Sequence, residues 1–112
     1  MSHIGIPAVN FTISEHARRG IELARQACNA HSPDPAAVLC VGWGRFMPDS
    51  GPQFENVVVT FYGQSQLPGI TEAIQEVSGL QVVFLPTPAD HPKFEGKILD
   101  FNDDQGFFLR GP

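Results

Sequence analysis

The Pro-rich stretch around Pro33 and Pro35 separates two parts of the sequence that have different residue patterns. Upstream of it, apolar residues recur at helical spacing on one face, at Ala17, Ile21, Ala24 and Cys28. Downstream, short β-branched and aromatic runs follow one another, and most of the 11 Gly and 10 Pro lie between the predicted elements. The pattern predicts one long N-terminal helix followed by five or six strands, which is a mainly β, α+β fold.

Capping residues predict where the helices begin and end. The hydroxyl of Ser14 can accept a hydrogen bond from a free amide of a first helical turn, so a helix is expected over residues 15–30. Residues 31–35, which include two prolines, end it. Gly79 suits the position after a second helix of one or two turns, whose apolar residues recur at Ile70, Ala73, Ile74 and Val77.

Strands are expected where apolar runs are bounded by turn residues. These runs cover residues 37–41, 57–62, 80–85, 97–101 and 107–109. Between the first two, the sequence of residues 47–52 is typical of a turn or loop. We expect residues 1–10 to form a flexible arm and residues 11–112 a single domain, because 112 residues suit one domain.

The charge balance of the chain is acidic, with 7 basic and 12 acidic residues and a formal net charge of −5. Such a chain repels a phosphate backbone, so the sequence argues against a nucleic-acid partner. Its first residues lack the basic and apolar regions of an export signal. The longest apolar run, residues 36–41, is far shorter than the roughly 20 residues of a membrane helix. We therefore expect a cytoplasmic protein without a membrane partner.

Cys28 and Cys40 are the only cysteines, and they form no Cys-x-x-Cys motif. Their apolar neighbours favour free, buried thiols over a disulfide, and burial would raise their pKa values. Two separated thiols cannot by themselves hold an iron–sulphur cluster or a Cys-rich zinc site. The sequence also argues against a thiol enzyme.

The last third of the sequence carries a pattern of Gly, Pro and aromatic residues. A Gly-strand-Pro segment covers residues 79–86, a Gly followed closely by an Asp-aromatic pair covers residues 96–101, and a Gly-Phe strand covers residues 106–109, before Pro112. This pattern resembles the HesB/IscA-type family of iron–sulphur carriers, and residues 11–14 resemble that family's N-terminal start. The resemblance implies one helix packed on a HesB-like bent sheet or pseudo-barrel.

The chemistry of that family depends on three cysteines, one in a Gly-Cys-x-Gly loop and two in a Cys-x-Cys pair. The matching loop here reads Gly42-Trp43-Gly44-Arg45, without cysteine, and the pair would lie beyond Pro112. The resemblance therefore implies a relative without the ligand cysteines, with a protein-interaction or accessory role rather than a carrier role. We expect no cofactor, and we expect a protein partner or a homodimer.

The segment Gly42-Trp43-Gly44-Arg45 is the most unusual local sequence of the chain. Two glycines allow close backbone approach, and Trp and Arg are favoured at interface hot spots, so the segment is a candidate ligand or partner loop. A bulged strand end in which Trp43 serves only for packing explains the same residues equally well. Both interpretations stay open at the level of sequence.

Asp90 and His91 are the candidates for a metal or proton site, in which Asp90 would orient the imidazole. A solvated turn is favoured over that site, because adjacent residues rarely ligate one ion well and no zinc-like His spacing exists. Binding of a small molecule or metal around Trp43–Arg45 and Asp90–His91 is the alternative function. For Asp100, a structural capping role is favoured over catalysis. No nucleophile motif or paired carboxylates can be identified, so the sequence favours a binding role over an enzyme without deciding between them.

Overall fold

The structure, a computed structural model, describes residues 8–31, 38–63 and 69–112. Its helix and strands are, in chain order, β1 (Thr12–Ile13), α1 (Glu15–His31), β2 (Val38–Phe46), β3 (Phe54–Tyr62), β4 (Ile74–Val77), β5 (Leu80–Phe84), β6 (Ile98–Asn102) and β7 (Gly106–Arg110). Short 3₁₀ turns cover Ile70–Ala73 and His91–Phe94. The predicted mainly β, α+β class is confirmed.

Helix α1 begins where the sequence predicted. Ser14 Oγ accepts a hydrogen bond from the backbone N–H of Ala17 at 3.1 Å, so Ser14 is the N-cap. The predicted Pro-rich end of the helix falls in residues 32–37, outside the described residues, as do residues 1–7 of the predicted arm. The last part of that arm contacts β4, since the N–H of Val9 donates to Gln75 Oε1 at 3.1 Å.

The described strands form two sheets and no closed barrel. The small sheet has the order β1-β6-β7, with β1 parallel to β6 and β7 antiparallel to it. The large sheet has the order β3-β2-β5-β4, in which only the β2–β5 pair is parallel. The side-chain amide of Asn56 in β3 donates to the carbonyl of Phe107 in β7 at 3.2 Å, so the two sheets meet at these strands.

The prediction of a short helix over residues 70–77 is wrong in its second half. The chain makes a 3₁₀ turn over Ile70–Ala73 and then forms strand β4, which pairs with β5. Ser78 and Gly79 connect the two strands, with φ angles of 49° and 82°. Two consecutive positive φ angles are typical of a tight two-residue hairpin, so Gly79 serves a hairpin turn rather than a helix end. Apolar spacing alone could not distinguish these structures over so few residues.

The candidate loop Gly42–Arg45 is part of a strand instead. Strand β2 continues to Phe46, and its pairing with β3 runs from Val38↔Tyr62 to Phe46↔Phe54 without a bulge. Gly44 lacks a side chain for a steric reason, because a Cβ there would lie 2.7 Å from Val58 Cγ2 and 2.9 Å from Phe46 Cζ. Because glycine has a poor strand propensity, the sequence did not predict that the strand continues beyond residue 41.

The core lies where α1 and both sheets contribute buried side chains, which include Phe11, Ala17, Ile21, Leu39, Val41, Val57, Val82, Phe84, Phe94 and Leu99. The side chains of β2 alternate between two clusters, as strand geometry requires. Leu39 and Val41 belong to the main core, whereas Cys40 packs with Ile70 and Val83 in a smaller cluster. The 3₁₀ turn beginning at Ile70 therefore packs against the second face of the large sheet.

Candidate functional site

The β2–β3 hairpin places Trp43 and Arg45 on one face of the large sheet. Their cross-strand partners are Val57 and Glu55, respectively. The Trp43 ring packs edge-on against Phe94, with ring centroids 5.8 Å apart. Phe94 is fully buried at the end of the 3₁₀ turn that follows Asp90. This packing brings the two candidate segments of the sequence, Gly42–Arg45 and Asp90–His91, to the same part of the molecule.

Asp90 is buried, with 2% of its surface exposed, so the favoured interpretation as a solvated turn residue is wrong. Arg45 donates to both carboxylate oxygens, through Nη2 to Oδ1 at 2.8 Å and through Nη1 to Oδ2 at 3.4 Å. Thr87 Oγ1 and Lys93 Nζ each donate at 3.0 Å. The hydrogen bonds from Lys93, Arg45 and Thr87 keep the pKa of Asp90 below its usual value, against the effect of burial.

Glu55 is the second acidic residue here. It accepts a hydrogen bond from Lys93 Nζ and another from Trp43 Nε1, both at 2.6 Å, and Arg45 Nε lies 3.9 Å away. These hydrogen bonds, that from Lys93 foremost, lower the pKa of Glu55. Lys93 Nζ also lies 5.0 Å from the centre of the Trp43 ring, within the range of a cation–π contact.

Arg45, Glu55, Asp90 and Lys93 together form what we call the charge network. It contains two cations and two anions, so their formal charges cancel. Since each carboxylate already accepts hydrogen bonds from cationic side chains, the network is suited to fixing the turn after Asp90 onto the hairpin.

His91 is placed separately from the charge network. Its Nε2 lies 2.8 Å from the carbonyl oxygen of Ala8, and its ring centroid lies 5.7 Å from that of Phe84. The described hydrogen bonds of the Asp90 carboxylate go to Arg45, Thr87 and Lys93, so the carboxylate does not orient the imidazole. In the part of the chain that the structure describes, no three His, Cys, Asp or Glu side chains are grouped to hold a metal ion.

The sequence pointed to Arg45 and Asp90 but missed Glu55 and Lys93. Glu55 lies opposite Arg45 only because the hairpin extends regularly through residues 42–46, whereas the sequence left open a loop or a bulged strand end at residues 42–45. Lys93 lies three residues after Asp90, a spacing that one helical turn brings together, and this was the one available signal. The association of Arg45 with Asp90 depends on tertiary packing and left no local pattern.

The hairpin carries an exposed apolar surface on the face opposite to the charge network. The Phe46 and Phe54 rings stack with centroids 5.1 Å apart, and these residues are 40% and 51% exposed. Met47, which follows β2, is 78% exposed, and Leu85, whose Cβ lies 3.7 Å from where a Cβ on Gly42 would be, is 46% exposed. We call Phe46, Met47, Phe54 and Leu85 the hairpin surface.

Asp100 has the structural role that the sequence favoured. Its carboxylate accepts hydrogen bonds from Ser14 Oγ at 2.7 Å, Arg110 Nε at 2.6 Å and the N–H of Phe101 at 2.9 Å. The bonds from Ser14 and Arg110 lower the pKa of Asp100 to about 2. The carboxylate thereby connects the N-cap of α1 to β6 and β7.

The two thiols are free, as expected, with Cys40 buried and Cys28 partly buried. Burial raises the pKa of the Cys40 thiol, so its reactive thiolate form is disfavoured.

None of the described helices is long and apolar enough to cross a membrane. No protein-family model matches the sequence, and no curated protein is significantly similar to it.

Proposed function

We propose that this protein works by binding another protein molecule through the hairpin surface, without chemistry of its own. The observation that carries the proposal is the exposure of four large apolar residues at this hairpin, Phe46, Met47, Phe54 and Leu85. The Phe46 and Phe54 rings stack on each other, Met47 follows Phe46 along the chain, and Leu85 lies beside Gly42 of the same strand. Contiguous exposed apolar side chains are typical of protein interaction sites, and aromatic residues and Met are enriched there.

The charge network supports this proposal because it holds the hairpin in place. Arg45 and Glu55 are the neighbours of Phe46 and Phe54 along the two strands, and both are bound to Lys93 or Asp90. A surface that is already rigid loses less conformational entropy on binding. The network therefore suits a preorganised interface, and its satisfied carboxylates make it a weaker candidate for the alternative function of metal binding.

The resemblance to the HesB/IscA-type carriers extends the proposal to the evolutionary origin of the chain. We propose that the chain shares their scaffold and acts in an accessory role, with a protein partner or a second copy of itself. The segment matching the family's first cysteine loop contains Trp43 and Arg45, and the thiol of Cys40 in the same strand is buried. These features support protein contact rather than cluster transport.

A site-specific photocrosslinker tests the interaction. Benzoylphenylalanine in place of Met47 should give, in cells that naturally contain the protein, one dominant crosslinked species that mass spectrometry identifies. The added change Phe54→Ser should abolish it, whereas Gln81→Ser, at an exposed position of β5 in the same sheet, should leave it unchanged. A crosslink pattern that is unaffected by Phe54→Ser would refute the proposal. Sedimentation velocity over a range of concentrations shows whether the species is a homodimer.

Anaerobic reconstitution with iron and sulphide tests the absence of a cluster separately. The purified protein should show no stoichiometric cluster absorbance after desalting. Stable absorbance at one cluster per monomer or dimer would overturn the accessory role, even if the photocrosslink were found.

A further inference from the structure

A groove between α1 and the end of β6 is a second candidate site, separate from the hairpin. It has a volume of about 390 Å³. The helix provides one wall, with His16, Arg19 and Leu23, and β6 with the following turn provides the other, with Phe101, Asn102 and Asp103. We propose that this groove binds a small organic anion with an apolar body, such as an aryl or alkyl carboxylate.

The apolar part of the site depends on Gly20. A Cβ at this position would lie 2.7 Å from Cγ of Phe101, so the ring lies directly against the backbone of the helix. Leu23, one turn further along α1, is 62% exposed although it is a large aliphatic residue. The ring of Phe101 and the side chain of Leu23 are thus available to an apolar body, and the groove volume falls in the range of small-molecule sites.

The helix wall provides the positive charge. Within residues 8–31, 38–63 and 69–112, Arg19 forms no ion pair, which leaves its guanidinium free to bind a carboxylate in a bidentate manner. His16 Nδ1 lies 3.9 Å from Asp100 Oδ1, but that oxygen already accepts a hydrogen bond from the Ser14 hydroxyl at 2.7 Å. The ligand's anionic group is therefore expected at the helix wall.

The opposite wall is neutral or negative. Asn102 is engaged with Gln105, accepting its N–H at 2.6 Å and donating to its Oε1 at 3.1 Å. Asp103 contributes an exposed carboxylate, which repels an anion and favours its placement beside Arg19. This asymmetry between the walls predicts one orientation of the ligand, with its apolar body between Leu23 and Phe101.

Protein-observed NMR titration with 4-phenylbutyrate tests the proposal, with the neutral 4-phenylbutanol as the matched probe. We expect saturable shifts for amides of residues 16–23 and 101–103, and at least fivefold weaker binding of the alcohol. Arg19→Gln should weaken binding of the carboxylate at least fivefold. Arg25→Gln is the control, because Arg25 lies over the Phe61 ring, 4.8 Å from its centre, and does not line the groove.

The acidic wall provides a test in the opposite direction. Asp103→Asn should tighten binding of 4-phenylbutyrate about two- to threefold, whereas Asp104→Asn, which removes an equal charge from a residue that does not line the groove, should have a smaller effect. Equal affinities of the carboxylate and the alcohol, no saturable shifts at millimolar probe, or an unchanged affinity in Arg19→Gln would each overturn the proposal.

Discussion

Asp90 and Asp100 are both buried aspartates that bind an arginine, yet they connect different kinds of structure. Within the described residues, the Asp90 carboxylate accepts hydrogen bonds from side chains alone, those of Arg45, Thr87 and Lys93, and it fixes a turn onto the hairpin. Asp100 also binds a backbone N–H and the hydroxyl that caps α1. Loss of Asp100 therefore affects the start of the helix, whereas loss of Asp90 affects one end of the large sheet. The depth of burial alone does not show this difference.

The largest effect is expected for Asp100→Ala. The change removes a charged acceptor from three donors and leaves Ser14 without the contact that orients it, so we expect a loss of about 2–3 kcal/mol in the free energy of unfolding. Urea denaturation measures it. Asp104→Ala in the exposed turn is the control, with an expected change within about 0.5 kcal/mol. Similar losses for both variants would contradict the central role of Asp100.

The next largest effect is expected in the dependence of stability on acidic pH, to which Asp100 contributes. Because folding lowers the pKa of Asp100 from 3.8 to about 2, its ionised form favours the folded state. The resulting stability is complete above the ordinary pKa and is lost as the pH falls towards 2. Asp100→Asn should therefore have a flatter dependence between about pH 4 and pH 2, measured as Tm against pH. Parallel curves for the variant and the wild type would show that another group dominates.

A smaller and more local effect is expected for Asp90→Asn. The amide cannot balance the charges of Arg45 and Lys93, but these side chains are 49% and 35% exposed, so water can solvate them. Hydrogen exchange should accelerate in residues 43–46 and 54–57 while α1 keeps its protection. The loss of global stability should be smaller than for Asp100→Ala. Faster exchange throughout α1 would mean that the two aspartates act on one cooperative unit.

Some parts of the molecule could be predicted from the sequence and others could not. The helix start at Ser14 was predictable because capping is a local interaction. The second half of β2 was not, because Gly44 fits the strand only through tertiary packing, in which Val58 and the Phe46 ring occupy the space of its missing side chain. Partners of Asp90 that lie far along the chain, such as Arg45, are set by packing and produce no pattern in the sequence.

The hydrogen bond from Ser14 to Asp100 joins residues 86 positions apart, and β1 pairs with β6 over the same separation. During synthesis, α1 leaves the ribosome long before the carboxylate that orients its cap has been made. Loop closure over such a distance is slow compared with formation of a hairpin such as β4–β5. The first helix of the chain is therefore among the last elements to reach its final stability. In a truncated nascent chain, the Ser14 cap of α1 is not yet oriented by Asp100.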